Sequence, residues 1–277
     1  MKKAYLTIDL EEWYHLDYLK DYEVDKHKAK TVPEIFTFLD MLDDLGIKAT
    51  FFVVGEIAEE YADIIREIRD RGHEIGCHGL DHDLLYNKTD EEFRDQIIKA
   101  KNILDRIVGE DTVKGYRASC FTMNRSKLNL LKECGYEYDS SYISFAEHPL
   151  YEDLDLSGYV KKEDLIYQND DFLEFEVPTY QIGKYNIPIS GGGYLRLFPY
   201  PVIKQLIKNH FKKQSSFVFY LHPFELTDIP LPLSSNIPRK DKFRATVGRK
   251  GNLKKLNKLL RFLKNEGVNF KPLGAEL

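Results

Sequence analysis

Short apolar runs recur along the chain at Tyr5–Asp9, Thr50–Val54, His73–His78, Val113–Arg117, Glu137–Asp139, Leu173–Val177, Phe217–Leu221 and Val268–Lys271. They are rich in β-branched or aromatic residues and show little polar alternation, the pattern of strands buried on both faces. Amphipathic stretches with helix punctuation lie between them. Pro33 opens one at a tolerated first-turn position, and Gly46 follows its last apolar residue. Another runs from Glu56 to Arg71 before Gly72. Thr89-Asp90-Glu91-Glu92 is a capping box leading into Phe93, Ile97, Ile98, Ile103 and Leu104, with Gly109 beyond. Asn252 is placed to cap a last helix, whose stripe of Leu253, Leu256, Leu259, Leu260 and Leu263 stops before Gly267. Alternating strands and helices predict an α/β protein with a mostly parallel sheet. About seven or eight such units, with no Gly/Ser-rich or Pro-rich linker, predict a single domain over residues 1–277 closed as a (β/α)7–8 barrel. An open doubly wound sheet is the alternative, but no G-x-G-x-x-G follows the first strand. Residues 140–216 are less regular and are expected to hold insertions, while residues 252–266 form a basic C-terminal helix.

Composition narrows what such a fold can be. The 277 residues carry 40 Lys+Arg against 45 Asp+Glu, with 43% hydrophobic residues and 13% aromatics. That is ample apolar material for a core and leaves no tract suited to disorder. Cys77, Cys120 and Cys134 are too few for a disulfide framework, and no C-x-x-C pair suggests a zinc ribbon. Asp9 arrives too early for the apolar region of a signal peptide, and no apolar run nears the roughly 18 residues of a membrane span. A cytoplasmic protein is expected. The net charge of −5 hides an asymmetry, because Arg239–Lys264 holds eleven Lys/Arg against Asp241 alone.

In a parallel barrel, functional side chains gather at the C-terminal strand ends. Those ends carry Asp9 with Glu11 and Glu12, His78 with His82, Arg117, Asp139 and His222. His78-Gly79-Leu80-Asp81-His82 puts two imidazoles four residues apart, within reach of one metal if they share a turn. The acidic group after the first strand supplies a third ligand and leaves another carboxylate as a general base. Asp9 ends that strand, and Glu11, two residues on, can point to the same side.

These segments resemble the polysaccharide deacetylases with NodB homology, carbohydrate esterase family four, and in particular the branch associated with bacterial exopolysaccharide loci. The resemblance rests on Thr7-Ile8-Asp9-Leu10-Glu11-Glu12-Trp13-Tyr14-His15, Ala49-Thr50-Phe51-Phe52-Val53-Val54-Gly55 and Gly72-His73-Glu74-Ile75-Gly76-Cys77-His78-Gly79. It continues through Gly115-Tyr116-Arg117-Ala118, Tyr138-Asp139-Ser140-Ser141, Gly191-Gly192-Gly193-Tyr194-Leu195-Arg196 and Tyr220-Leu221-His222-Pro223. It implies a distorted (β/α) barrel and hydrolysis of the N-acetyl group of an amino sugar in a poly- or oligosaccharide or a lipid-linked glycan. Asp9 matches the family's general base, His78 and His82 its metal ligands, Arg117 the residue that keeps the base ionised, and His222 the general acid. The implied cofactor is one divalent metal ion, Zn2+ in first place, with Co2+, Ni2+ or Fe2+ as alternatives. Glu11 is preferred as third ligand, with Glu12 the alternative, because the family's adjacent aspartates are here Asp9-Leu10-Glu11-Glu12. Ser119, followed by Cys120, stands where the branch has a proline two residues beyond the arginine. Asp139 has no assigned role, orientation of His222 being one possibility, and Tyr194 is expected to stack on a sugar. His73 reads as a structural histidine, and His15, His27, His148 and His210 carry no functional reading.

Two other functions fit the same pattern: an allantoinase-like amide hydrolase, and a catalytically inactive glycan-binding barrel. Nucleic acid is not an expected partner, because no recognition motif accompanies the basic stretch. That stretch reads as a solvated outer helix, with peripheral contact to an anionic membrane as a further possibility.

Overall fold

The computed structural model describes residues 1–143, 154–183 and 185–277. The chain runs β1 (Lys3–Leu10), α1 (Phe36–Leu45), β2 (Thr50–Val53), α2 (Gly55–Ala58), α3 (Ala62–Asp70), β3 (Glu74–Cys77), α4 (Asp90–Val108), β4 (Gly115–Tyr116), α5 (Arg125–Glu133) and β5 (Tyr138–Asp139). A meander follows, β6 (Val160–Glu163), β7 (Ile166–Asn169) and β8 (Phe172–Phe175), then a separate hairpin, β9 (Tyr180–Ile182) and β10 (Tyr185–Ile187). The remainder is α6 (Gly192–Leu197), α7 (Tyr200–His210), β11 (Ser216–Leu221), α8 (Pro223–Leu226), α9 (Arg239–Thr246), α10 (Asn252–Asn265) and β12 (Asn269–Phe270).

The main sheet has the order β11-β1-β2-β3-β4-β5-β8-β7-β6, with β12 also on β1. Every pairing from β11 to β8 is parallel, and only β8-β7-β6 is antiparallel. Among the described residues no ladder joins β6 to β11, yet the sheet curls until these edges meet. Lys3 pairs with Glu163 at 2.5 Å, and Asp164 accepts from Ser215 N and Oγ at 2.7 and 2.9 Å. Inside the curve, Tyr5, Phe52, Tyr138, Phe175 and Val218, each from a different strand, share one buried cluster. Leu6, Ile8, Phe51, Val53 and Ile75 point the other way, into the cluster formed with the helices. The result is a mostly parallel α/β fold whose sheet wraps around its own aromatic core.

Two local expectations change. The helix read from Glu56 to Arg71 is broken between α2 and α3, where Tyr61 leaves helical geometry (φ −109°, ψ 23°) and sends its hydroxyl to Glu12. At α10 the cap is Gly251, in the left-handed region at φ 76°, while Asn252 is the buried first helical residue and donates Nδ2 to the Glu225 carbonyl at 2.9 Å. The leucine stripe behaves as read: Leu256, Leu259, Leu260 and Leu263 are buried, each worth about 1.5–3 kcal/mol. No helix among the described residues is long and apolar enough to cross a membrane.

Candidate active site

β1 alternates along its length. Tyr5 joins the inner cluster while Ala4, Leu6, Ile8 and Leu10 join the outer one, so Thr7 and Asp9 share the inner face. Glu11 falls on that side and Glu12 on the other. Glu12 is occupied there, accepting from Thr31 N (2.7 Å), Thr31 Oγ1 (2.8 Å), Val32 N (3.1 Å) and Tyr61 Oη (2.7 Å). It caps the turn that leads into α1.

Glu11 is buried, with Oε2 at 2.9 Å from His82 Nε2 but in no hydrogen bond. The ligating atoms of Glu11, His78 and His82 lie within 4.8 Å of one another, all three residues buried. His78 Nδ1 is 2.8 Å from the Arg117 carbonyl. That contact assigns the proton to Nδ1 and leaves the Nε2 lone pair to the cluster. A buried carboxylate oxygen without a donor is costly unless a cation meets it. The donor set of two imidazoles and one carboxylate therefore fits a divalent ion. Burial pushes His78 down to about 4, which keeps it neutral and able to ligate. Burial opposes the charge on Glu11, but the His82, His222 and His15 imidazoles hold it well below the usual carboxylate range.

Arg117 follows β4 and is fully buried, with hydrogen bonds from all three of its nitrogens. Nη1 donates to Asp9 Oδ1 (2.9 Å) and Thr7 Oγ1 (2.6 Å), Nε to the Ser140 carbonyl (3.0 Å) and Nη2 to Ser140 Oγ (2.8 Å). The Phe52 ring lies 4.4 Å from the guanidinium carbon. From the end of β11, His222 brings Nε2 to 3.9 Å from Asp9 Oδ2 and 3.7 Å from Glu11 Oε1. Its Nδ1 is 3.1 Å from Glu225 Oε2, and Arg196 Nε grips Glu225 Oε1 at 3.0 Å. Burial alone would lower His222, but Glu225 first, then Glu11 and Asp9, lift it to about 9.

Glu225 was missed in the sequence, although it stands three residues after His222 in His222-Pro223-Phe224-Glu225, the spacing of a capping pair. It takes the place considered for Asp139. Asp139 accepts from Ser141 Oγ at 2.9 Å and sits opposite Glu174 in the β5–β8 register, away from His222. The glycine run is packed: a Cβ at Gly191 would strike the Tyr220 ring, and one at Gly192 the Glu225 carboxylate.

Asp9, Glu11, His78, His82 and His222 border a cavity of 180 Å³. Cys120 and Phe121 also line it, both in the left-handed region at φ 50° and 58°, a conformation that costs on the order of 1–3 kcal/mol per residue. Burial pushes the Cys120 thiol up to about 12. Leu16, Tyr18, Tyr220, His222 and Arg244 are shared with an adjoining cavity of 310 Å³, and Tyr194 lies in this second space. Together they form one groove. His73 packs on Phe51 (5.3 Å between ring centroids) and accepts from Ala49 N at 3.2 Å, away from the groove. His210 holds the Ser216 carbonyl at 2.8 Å. His15 stacks on His82 with centroids 6.1 Å apart. His27 is exposed, and His148 lies outside the described residues.

Fold and site together define a curled, mostly parallel α/β protein with a carboxylate-imidazole cluster at its C-terminal strand ends. The family model described as polysaccharide deacetylase matches residues 12–138, and a second, described as a domain of unknown function (DUF3473), matches residues 140–271. Residues 12–138 thus carry a polysaccharide deacetylase domain of the NodB-homology type. It is 44% identical over 71 residues to a peptidoglycan-N-acetylglucosamine deacetylase of Bacillus cereus, covering 26% of each chain. To a chitooligosaccharide deacetylase of Azorhizobium caulinodans it is 34% identical over 96 residues, covering 35% of this chain and 46% of the relative. The matched segments thus span from a quarter to just under half of these relatives. An allantoinase structure superposes with a TM-score of 0.64 at 16% identity, covering 99% of this chain and 88% of the other. That likeness concerns the fold alone.

Proposed function

We propose that the chain is a metal-dependent N-deacetylase acting on an amino sugar in a poly- or oligosaccharide or a lipid-linked glycan. One observation carries the reading. Asp9 has Oδ1 tied to Arg117 and Oδ2 turned to His222 at 3.9 Å, beside the Glu11–His78–His82 cluster. A divalent ion held by those three residues, Zn2+ before Co2+, Ni2+ or Fe2+, would polarise the acetyl carbonyl and bring a water's pKa towards neutrality. Asp9 then accepts the water proton through Oδ2, its Oδ1 held by Arg117. His222 passes its Nε2 proton to the amine as the C–N bond breaks, its ring held by Glu225. A backbone N–H in the loop after Arg117, short of Phe121, whose own N–H is bound to the Ala118 carbonyl, is offered to the oxyanion. Tyr194, in the second cavity, packs against a neighbouring sugar. The curated relatives' names, deacetylases of peptidoglycan and of chitooligosaccharide, support the same chemistry. We place the protein in exopolysaccharide synthesis in the cytoplasm, and read it as one domain because the β5–β8 and β1–β11 ladders tie both matched segments together.

The allantoinase-like reading has only the fold in its favour. The inactive barrel would need a broken constellation, whereas Asp9 and His222 line one cavity and Arg117 holds Asp9 from behind. Acetate release from chito-oligosaccharides should disappear on exhaustive chelation and return with Zn2+ or Co2+. Activity that survives complete metal removal overturns the proposal.

A further inference from the structure

The basic stretch Arg239–Lys264 does not form one outward face. Lys255 Nζ donates to the carbonyls of Leu195, Arg196 and Phe198 (2.9, 3.1 and 3.2 Å). Arg249 is buried on the carbonyls of Phe224, Thr227 and Ile229 (2.6, 3.0 and 2.9 Å). These are neutral acceptors, so two positive charges stand uncancelled by their own bonds behind Arg196 and Phe224, which line the larger cavity. Arg244 differs from both. It stands where the two cavities join, 46% exposed, with its guanidinium carbon 4.1 Å from the Tyr18 ring centroid. The carboxylate it reaches, Asp241, is 3.8 Å away, too far for a hydrogen bond, and Asp17 lines the smaller cavity. Phe243 and Leu197, 57% and 51% exposed, flank the opening of the larger one.

We infer that Arg244 reads an anionic group, a carboxylate or a phosphate, on the unit next to the sugar that is deacetylated, so that the preferred substrate is an acidic N-acetylated glycan. This rests on the deacetylase reading above. A planar, permanently charged fork held over an aromatic ring suits either oxyanion. The positive potential from Arg249 and Lys255 draws the group inward, and the exposed Phe243 and Leu197 suit the apolar face of a pyranose.

The test compares kcat/KM of the metal-loaded chain on three substrates at low and high salt. They are an N-acetylated chito-oligosaccharide, an oligomer alternating N-acetylglucosamine with glucuronate, and UDP-N-acetylglucosamine. One acidic substrate should exceed the neutral one by roughly tenfold or more. Which one does so separates carboxylate from phosphate. Arg244→Gln should shrink that ratio about tenfold, and Arg244→Lys should restore part of it. A wild-type protein without acid preference, or a ratio unchanged in Arg244→Gln, overturns the inference. Calorimetric binding of the same three compounds keeps the two readings apart. Acid-selective binding lost in Arg244→Gln, without any acetate release, would support the anion site and sink the deacetylase reading. Acetate release without selectivity would sink the anion site alone.

Discussion

The curled sheet buries two pairs of carboxyl groups to nearly the same degree and gives them opposite kinds of partner. Asp9 and Glu11 at the end of β1 are 3% and 1% exposed, and Asp139 and Glu174, paired across β5 and β8, are both 0% exposed. Arg117, His82 and His222 surround the first pair within 2.9–3.9 Å. The second pair makes no ion pair among the described residues. Ser141 N and Oγ and Tyr142 N meet it instead, while the nearby Arg117 spends its donors on Asp9, Thr7 and Ser140. Burial raises both members of that pair, and Asp139 raises Glu174 further. A burial cost that falls alike on four carboxyls is thus met in two ways. Cationic and imidazole partners meet one pair, at the place of proton transfer and ligation, while burial and mutual repulsion let the other pair share a proton between its two strands.

Removing the proton acceptor at the β1 end should give the largest effect. Asp9→Asn keeps the shape and the Arg117 contact but cannot accept a proton, so kcat should fall by about a thousandfold with metal content unchanged. Metal analysis is the deciding measurement, since loss of the ion as well would make Asp9 a ligand. A smaller change targets the countercharge itself. Glu225 lifts His222, and a raised imidazole stays protonated, hence competent as an acid, to higher pH. In Glu225→Gln the alkaline limb of kcat/KM should move to lower pH by about one unit. A limb that stays in place would remove His222 from the acid role.

How much of this was legible beforehand depended on the range of the interactions. All eight strands read from apolar runs are present, because a strand covered on both faces has little polar alternation to hide it. β6, Val160–Glu163, is exposed along its length and carried no such signal. Strand ends brought Asp9, Glu11, His78, His82 and His222 to one cavity, with Arg117 buried behind Asp9, because parallel register aligns those ends. The two-residue pleat put Glu11 beside Asp9, but Glu12's partners, Thr31 and Tyr61, lie 19 and 49 residues away and could not be read locally. Glu225 was visible at a capping distance from His222, while the Arg196 that holds it is 29 residues upstream. Arg244 was counted into a charge run, since composition cannot tell a cation turned onto buried carbonyls from one facing a groove.

The smallest expected effect tests the protonated side of the contrast. Carboxyls with raised pKa values in the folded state bind protons more readily there than in the unfolded chain. Their contribution is complete below the ordinary carboxylate range near pH 4 and is lost as pH climbs through the raised folded values. The wild type should therefore lose on the order of 1–3 kcal/mol of stability from this pair between about pH 4 and neutrality. Glu174→Gln replaces the acid that must stay protonated with a permanently neutral amide. Its Oε1 still accepts from Ser141 N and Tyr142 N, and its amide can donate to Asp139 where the shared proton was. Urea denaturation at pH 5 and pH 8 should then show a smaller gap in the variant than in the wild type, with acetate release nearly unchanged. An equal gap would mean that Asp139 and Glu174 do not share a proton, and that the second pair, like the first, is held by charge.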